Sequence, residues 1–367
     1  MENRISEREN AIDLMKVIAI FLVIFYHGNN MTGSLMHSEI LLLSLSSTCV
    51  PLFFFVNGYL LFNKAFSLKT HMLKTLNMVI LTVVWVIIMM LMAALISGEG
   101  FSLKDSLSAV LNWKQSYINH LWFLPALICI YLVFPLLKNT FDTDRRIFRY
   151  FTVVVCIFTF GRTLVTEVFS VILYMFGKDA SFRQYEFFSM FDPFHGIKGY
   201  SWGYFCIGGI AYRYKEYLLS IGARKRNLFA AVLLAINCLL LSGLYLFFNR
   251  MAGIEWDVVW DGYDTVFTLI NVVCIYVLCL NYKGHVRIIK SISCNTLGIY
   301  LIHVFVMAAV LFSMKLPLAF DNAYSGMPDV AVSWPVKLIL SFGVLLISWL
   351  AVLGLKRIPV VKKLISL

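Results

Sequence analysis

Three ionisable side chains interrupt the first apolar run of the chain: Asp13, Lys16 and His27 in IDLMKVIAIFLVIFYH. Asp13 and Lys16 are three apart, so on a helix they share a face. Lys16 and His27 are eleven apart, which is three helical turns to within about 20°, with Cα atoms about 16 Å apart along the axis. One polar stripe therefore runs along an otherwise greasy helix. An imidazole titrates near neutrality, so His27 is suited to take a proton from a hydroxyl or to act as a nucleophile. The lysine supplies a point charge. A lysine reaching for the interface beside Asp13, with a histidine at the opposite interface, accounts for the same residues without chemistry.

Other polar residues stand in apolar surroundings. His303 sits within GIYLIHVF, where a core histidine and a functional one are both expected. Arg162 and Glu167 are five apart in one apolar run and are expected to pair. Asn57 and Gly58 in FFFVNGYLLF suit helix packing or a kink. His120 and Trp122 open another run, where an interfacial aromatic belt also explains the tryptophan. Lys69, His71 and Lys74 fall in the polar stretch 64–74. Clustered lysines there suit a nucleotide phosphate, although topogenic charge explains them too. Segment 251–265 interleaves Trp256, Trp260 and Tyr263 with Glu255, Asp257, Asp261 and Asp264, a pattern suited to a carbohydrate or to an interfacial turn.

The elements that must position these residues follow from composition. The chain is 60% hydrophobic and 14% charged, against roughly 25% charged in soluble domains. Apolar runs recur that are long enough to cross about 30 Å of hydrocarbon as helices. The expected fold is all-α and polytopic, with about ten transmembrane helices at 12–29, 40–62, 76–96, 120–137, 150–174, 199–214, 227–248, 263–282, 292–312 and 334–355. Gly203, Gly208 and Gly209 in the sixth suit close helix packing.

Charge tests the topology independently. With the N-terminus inside, the outer segments hold only Lys104, Lys114, Lys178, Arg183, Lys198, Arg250, Lys315 and Lys337. Apart from Lys16 and Arg162, every other Lys and Arg falls in a cytoplasmic segment, with both termini cytoplasmic. The net charge of +11 is therefore read as topogenic, and no nucleic-acid partner is implied. The eight cysteines form no CxxC and fall mostly in apolar runs, so neither a disulfide framework nor a metal site is expected. Polar residues 1–11 precede the first run and no small-residue cleavage site follows it, so that run is expected to be retained. A single membrane domain over 1–367, without an appended soluble domain, is expected.

Four blocks carry a resemblance. IDLMKVIAIFLVIFYH is similar to the opening helix of the acyltransferase-3 family of integral membrane acyltransferases, whose signature is Arg, ten residues, then His. VPLFFFVNGYLLF resembles its second-helix pattern, which ends in Ser-Gly-Tyr/Phe. HLWFLPALICIYLVFPLL resembles its Leu-Trp-Phe/Tyr-Leu pattern, and TLGIYLIHVFV its Tyr-Leu-x-His pattern. The order and spacing of the blocks fit over most of the chain.

The resemblance implies an acyl-CoA donor, most simply acetyl-CoA, bound from the cytoplasm, and an acceptor hydroxyl reached near the other side. His27 matches the family's essential histidine. Lys16 stands where arginine is usual, which removes a planar fork but keeps a charge for a phosphate or the pantetheine amide. Asn57 stands where serine is common, and Lys69 and Lys74 match basic positions of the loop between the second and third helices. The implied activity is O-acylation of a cell-envelope glycan or lipid-linked sugar at a bacterial inner (plasma) membrane. His27 acts either as base or as transient acyl carrier. A transporter or flippase for a lipid-linked saccharide is the main rival, although the inverted repeats that alternating access favours are not seen. A sensory membrane module is a third reading.

Overall fold

A computed structural model describes residues 9–32, 39–97, 100–112, 116–179, 194, 198–314 and 333–365. The described elements are helical. They are α1 (Asn10–Thr32), α2 (Ile40–Ser46), α3 (Cys49–Phe62), α4 (Leu68–Ser97), α5 (Leu103–Asn112), α6 (Phe123–Thr143), α7 (Arg145–Cys156) and α8 (Arg162–Met175). There follow α9 (Gly199–Arg213), α10 (Lys215–Ser220), α11 (Ala223–Leu246), α12 (Val266–Cys279), α13 (Arg287–Ser313), α14 (Trp334–Leu355) and α15 (Pro359–Leu364). A 3-10 turn, Ser116–Trp122, leads into α6, and a π-helical turn, Ile157–Gly161, joins α7 to α8.

Among the described residues, eight helical stretches are long and apolar enough to cross a membrane. The other two expected spans are helices as well, but short: α9 has 15 residues and α12 has 14. At 1.5 Å per residue such helices reach only about 20 Å, less than the hydrocarbon thickness. The stretch 64–74, expected as a loop, is corrected over its second half: α4 begins at Leu68, so Lys69, His71 and Lys74 lie on its first two turns. Apolarity marks the part of a helix immersed in lipid, and the helix itself continues into polar surroundings.

The chain divides into two compact units. The first comprises residues 1–26, 35–65 and 137–294. Its centre is the close pairing of α3 with α9. A Cβ on Gly58 would lie 1.9 Å from the Phe205 carbonyl oxygen, and one on Gly208 would lie 2.0 Å from that of Phe55. The two backbones are therefore in contact, and only residues without a side chain permit it. Hydroxyl pairs stitch further helices together: Ser44 with Ser242 at 2.9 Å, and Ser47 with Thr268 at 2.8 Å. Such pairs replace water where none is present.

The first unit also orders residues 254–265. The Asn249 side chain grips both the amide and the carbonyl of Trp256, the Tyr26 hydroxyl donates to Asp257 at 3.0 Å, and the Tyr204 hydroxyl donates to the Tyr263 carbonyl at 2.7 Å. Lys198 lies 4.3 Å over the Trp260 ring.

The second unit comprises 27–34, 66–136 and 295–367. Within it, the Trp85 indole donates to the Leu364 carbonyl at 2.6 Å. A Cβ on Gly298 would touch Val352 at 3.0 Å, so α13 and α14 pack tightly there.

Candidate active site

Three imidazoles meet in the second unit. His27 comes from α1, His120 from the 3-10 turn before α6, and His303 from the middle of α13. The ring centroids are 5.3 Å apart for His27 and His303, 6.0 Å for His120 and His303, and 6.3 Å for His27 and His120. Apolar neighbours hold each position. Ile118 and Leu121, fully buried, flank His120, and Ile299 and Leu301 anchor α13 around His303. Tyr300 ties the turn to α13: its hydroxyl donates to the His120 carbonyl, and its ring lies 5.7 Å from that of Phe123.

The tautomer of His303 follows from its partner. Nδ1 lies 2.6 Å from the Tyr300 carbonyl oxygen. A carbonyl only accepts, so Nδ1 carries the proton and the neutral ring leaves its lone pair on Nε2. Nε2 is buried and meets no hydrogen-bond partner among the described residues. A buried acceptor left unmatched favours any hydroxyl or N–H that reaches it. No group of three His, Cys, Asp or Glu among the described residues has metal-holding geometry.

A small cleft opens beside Gly28, the residue after His27. Met307, Leu311, Ser341 and Val344 line it, and its volume is about 10 Å³, room for a single water-sized group. Met307 lies one turn beyond His303 on α13.

The remaining expected residues are distributed as follows. α1 is continuous from Asn10 to Thr32, so Lys16 and His27 share one uninterrupted helix. Asp13, in the first unit, is buried and accepts from the Ser293 hydroxyl at 2.5 Å. Asn57 donates to the Phe53 carbonyl of its own helix at 2.8 Å. Trp122 closes the turn that carries His120. Lys69 is exposed, whereas His71 is buried, with Nε2 2.7 Å from the Tyr131 carbonyl and its ring packed against Phe134. His71 thus faces the protein and Lys69 faces away.

The pairing expected between Arg162 and Glu167 is corrected. Both Glu167 carboxylate oxygens are buried without a hydrogen-bond partner. Residues five apart on a helix point about 140° from each other, so the two side chains diverge. Arg162 instead lies close enough to Asp264 to interact electrostatically, and the Thr163 hydroxyl donates to that carboxylate at 2.8 Å.

His120 is the residue that sequence reasoning named without assigning it to the site. Its signal is a histidine two residues before the tryptophan of the third block, a tryptophan that an interfacial aromatic belt also explains.

Membrane-length helices and a cluster of three imidazoles, His303 fully buried among them, define a multi-pass membrane protein with groups suited to proton transfer. A family model described as an acyltransferase domain matches residues 9–353. The chain belongs to that family, acyltransferase-3, and is a membrane acyltransferase. No curated protein and no solved structure matches it.

Proposed function

We propose that this protein is an O-acetyltransferase of the bacterial inner membrane. It moves an acetyl or other short acyl group from cytoplasmic acyl-CoA to a hydroxyl of a cell-envelope glycan or lipid-linked sugar. The observation that carries this reading is the convergence of His27, His120 and His303 in a chain of this family. Both termini are cytoplasmic, in line with the charge bias of the loops.

His27 takes the proton of the acceptor hydroxyl as its oxygen attacks the thioester carbonyl. The C–S bond then breaks, and the departing thiolate recovers that proton from the imidazolium, giving an ester and free CoA thiol. His303 holds the acceptor hydroxyl or the His27 ring through its Nε2 lone pair. The cleft at Gly28 has room for an acetyl methyl. Lys16, further along the same helix, offers a charge to the pantetheine arm, and Asp13 keeps that end of the stripe polar. Lys69 and Lys74 attract the donor's phosphates, with His71 packed beneath them. Trp122 supports the turn that carries His120. The aromatic and acidic segment 251–265 suits the saccharide.

The test is detergent-purified protein with acetyl-CoA and envelope glycan. Thiol release and acetylated sugar are expected from the wild type. His27→Ala is expected to abolish both while the protein still inserts and runs as a folded species, and Lys16→Ala to raise the apparent KM for acetyl-CoA more than that for acceptor. Normal acetylation by the His27 variant would overturn the mechanism. Glycan movement without CoA would replace the enzyme with a transporter.

A further inference from the structure

Arg226 is a buried cation with donors to spare. It sits in the first turn of α11 and is 7% exposed. One guanidinium nitrogen, Nη1, donates to the Leu218 carbonyl. Nε and Nη2 are buried and meet no hydrogen-bond partner. A guanidinium withdrawn from water without an anion is costly, and its two idle N–H groups form the fork that fits a phosphate or carboxylate.

The surroundings share this shortage. The residue that caps α11 is Gly222, which has no side chain to satisfy the first-turn amides. Residues 221–225 are exposed, and Arg224 and Lys225 are among them. A helix start of this kind attracts anions. Next to Arg226, the Asn227 side-chain carbonyl is buried without a partner. Unspent donors on Arg226 and an unspent acceptor on Asn227 therefore stand side by side at the start of α11, within the first unit.

We propose that this corner binds the phosphorylated nucleotide of the acyl-CoA donor, with Arg226 as the fork on a phosphate. The inference rests on the acyl-CoA reading above. The ligand is a ribonucleotide phosphate monoester or diphosphate. Its anion takes the idle Nε–H and Nη2–H groups together with the first-turn amides of α11. The Asn227 side-chain carbonyl accepts from a ribose hydroxyl. Capping of α10 by Arg226 is the rival role, and it would place no ligand here.

The probe is adenosine 3′,5′-bisphosphate, titrated calorimetrically into the full-length protein in nanodiscs. The wild type is expected to bind it with an affinity that falls as salt rises. Arg226→Ala should weaken binding by at least ~10-fold, and Arg226→Lys should restore part of it, since lysine keeps the charge but loses the fork. A folded Arg226→Ala variant with wild-type affinity would overturn the site, as capping alone predicts only a lower melting temperature. Should that variant fail to fold, the exposed pair Arg224→Ala with Lys225→Ala decides. Reduced affinity and a shallower salt dependence support the site, and unchanged values reject it. Acetyl transfer by a wild type that does not bind the bisphosphate would also reject the site while leaving the enzyme reading intact. Absence of transfer from any acyl-CoA would instead remove the reading on which it rests.

Discussion

A histidine's usefulness depends on which nitrogen holds its proton, and at position 303 the backbone has made that choice. The bond from Nδ1 to the Tyr300 carbonyl leaves Nε2 as an acceptor inside the imidazole cluster. His303→Asn keeps a donor near the Nδ1 position and removes Nε2, so the helix should survive. Transfer is expected to fall by ~10²-fold in kcat, within the range for loss of a positioned acid–base group. Wild-type kcat in that variant would show that Nε2 takes no part. At this scale the sequence was partly legible. The polar stripe of α1 follows from helical spacing, and His303 stood out in an apolar run. His120 did not, because no periodicity links positions 27, 120 and 303. Their meeting depends on three separate segments. Glu167 misled for the opposite reason: proximity in sequence suggested a pairing that helical geometry prevents.

Helices here are specified by two different signals, and only one of them was easy to read. Hydropathy located each span, yet it placed the start of α4 eight residues late, since a helix does not end where lipid does. The glycines were the better guide. Those of α9 were expected to allow close packing, and Gly208 indeed lies against the α3 backbone. Gly58→Ala or Gly208→Ala would force the two backbones apart and is expected to cost at least ~3 kcal/mol, at the upper end of overpacking penalties. Gly243, inside α11, has nothing within 4 Å of its would-be Cβ. There the same substitution should stabilise by roughly 0.5–1 kcal/mol, through helix propensity alone. Thermal unfolding of the three variants in one detergent checks both signs, and equal shifts would refute the packing argument.

Over the whole molecule, the strongest sequence signal is electrostatic. The distribution of Lys and Arg predicts that residues near Lys64, Arg145 and Arg224 face the cytoplasm and those near Lys104 and Lys178 face the opposite side. Single cysteines introduced at these places in a cysteine-free background should react with a membrane-impermeant maleimide in intact cells only at the latter two; the reverse pattern would invert the topology. The division into two compact units was not legible. Each unit is assembled from three separated stretches of chain, and α1, α6 and α13 each contribute residues to both. A hydropathy profile records where helices occur and carries no information about which of them gather.

The hydrogen bond from Trp85 to the Leu364 carbonyl bears on how the protein is handled. The turn at Leu364 is held beneath an indole, so a protease site or label placed within α15 is expected to react slowly.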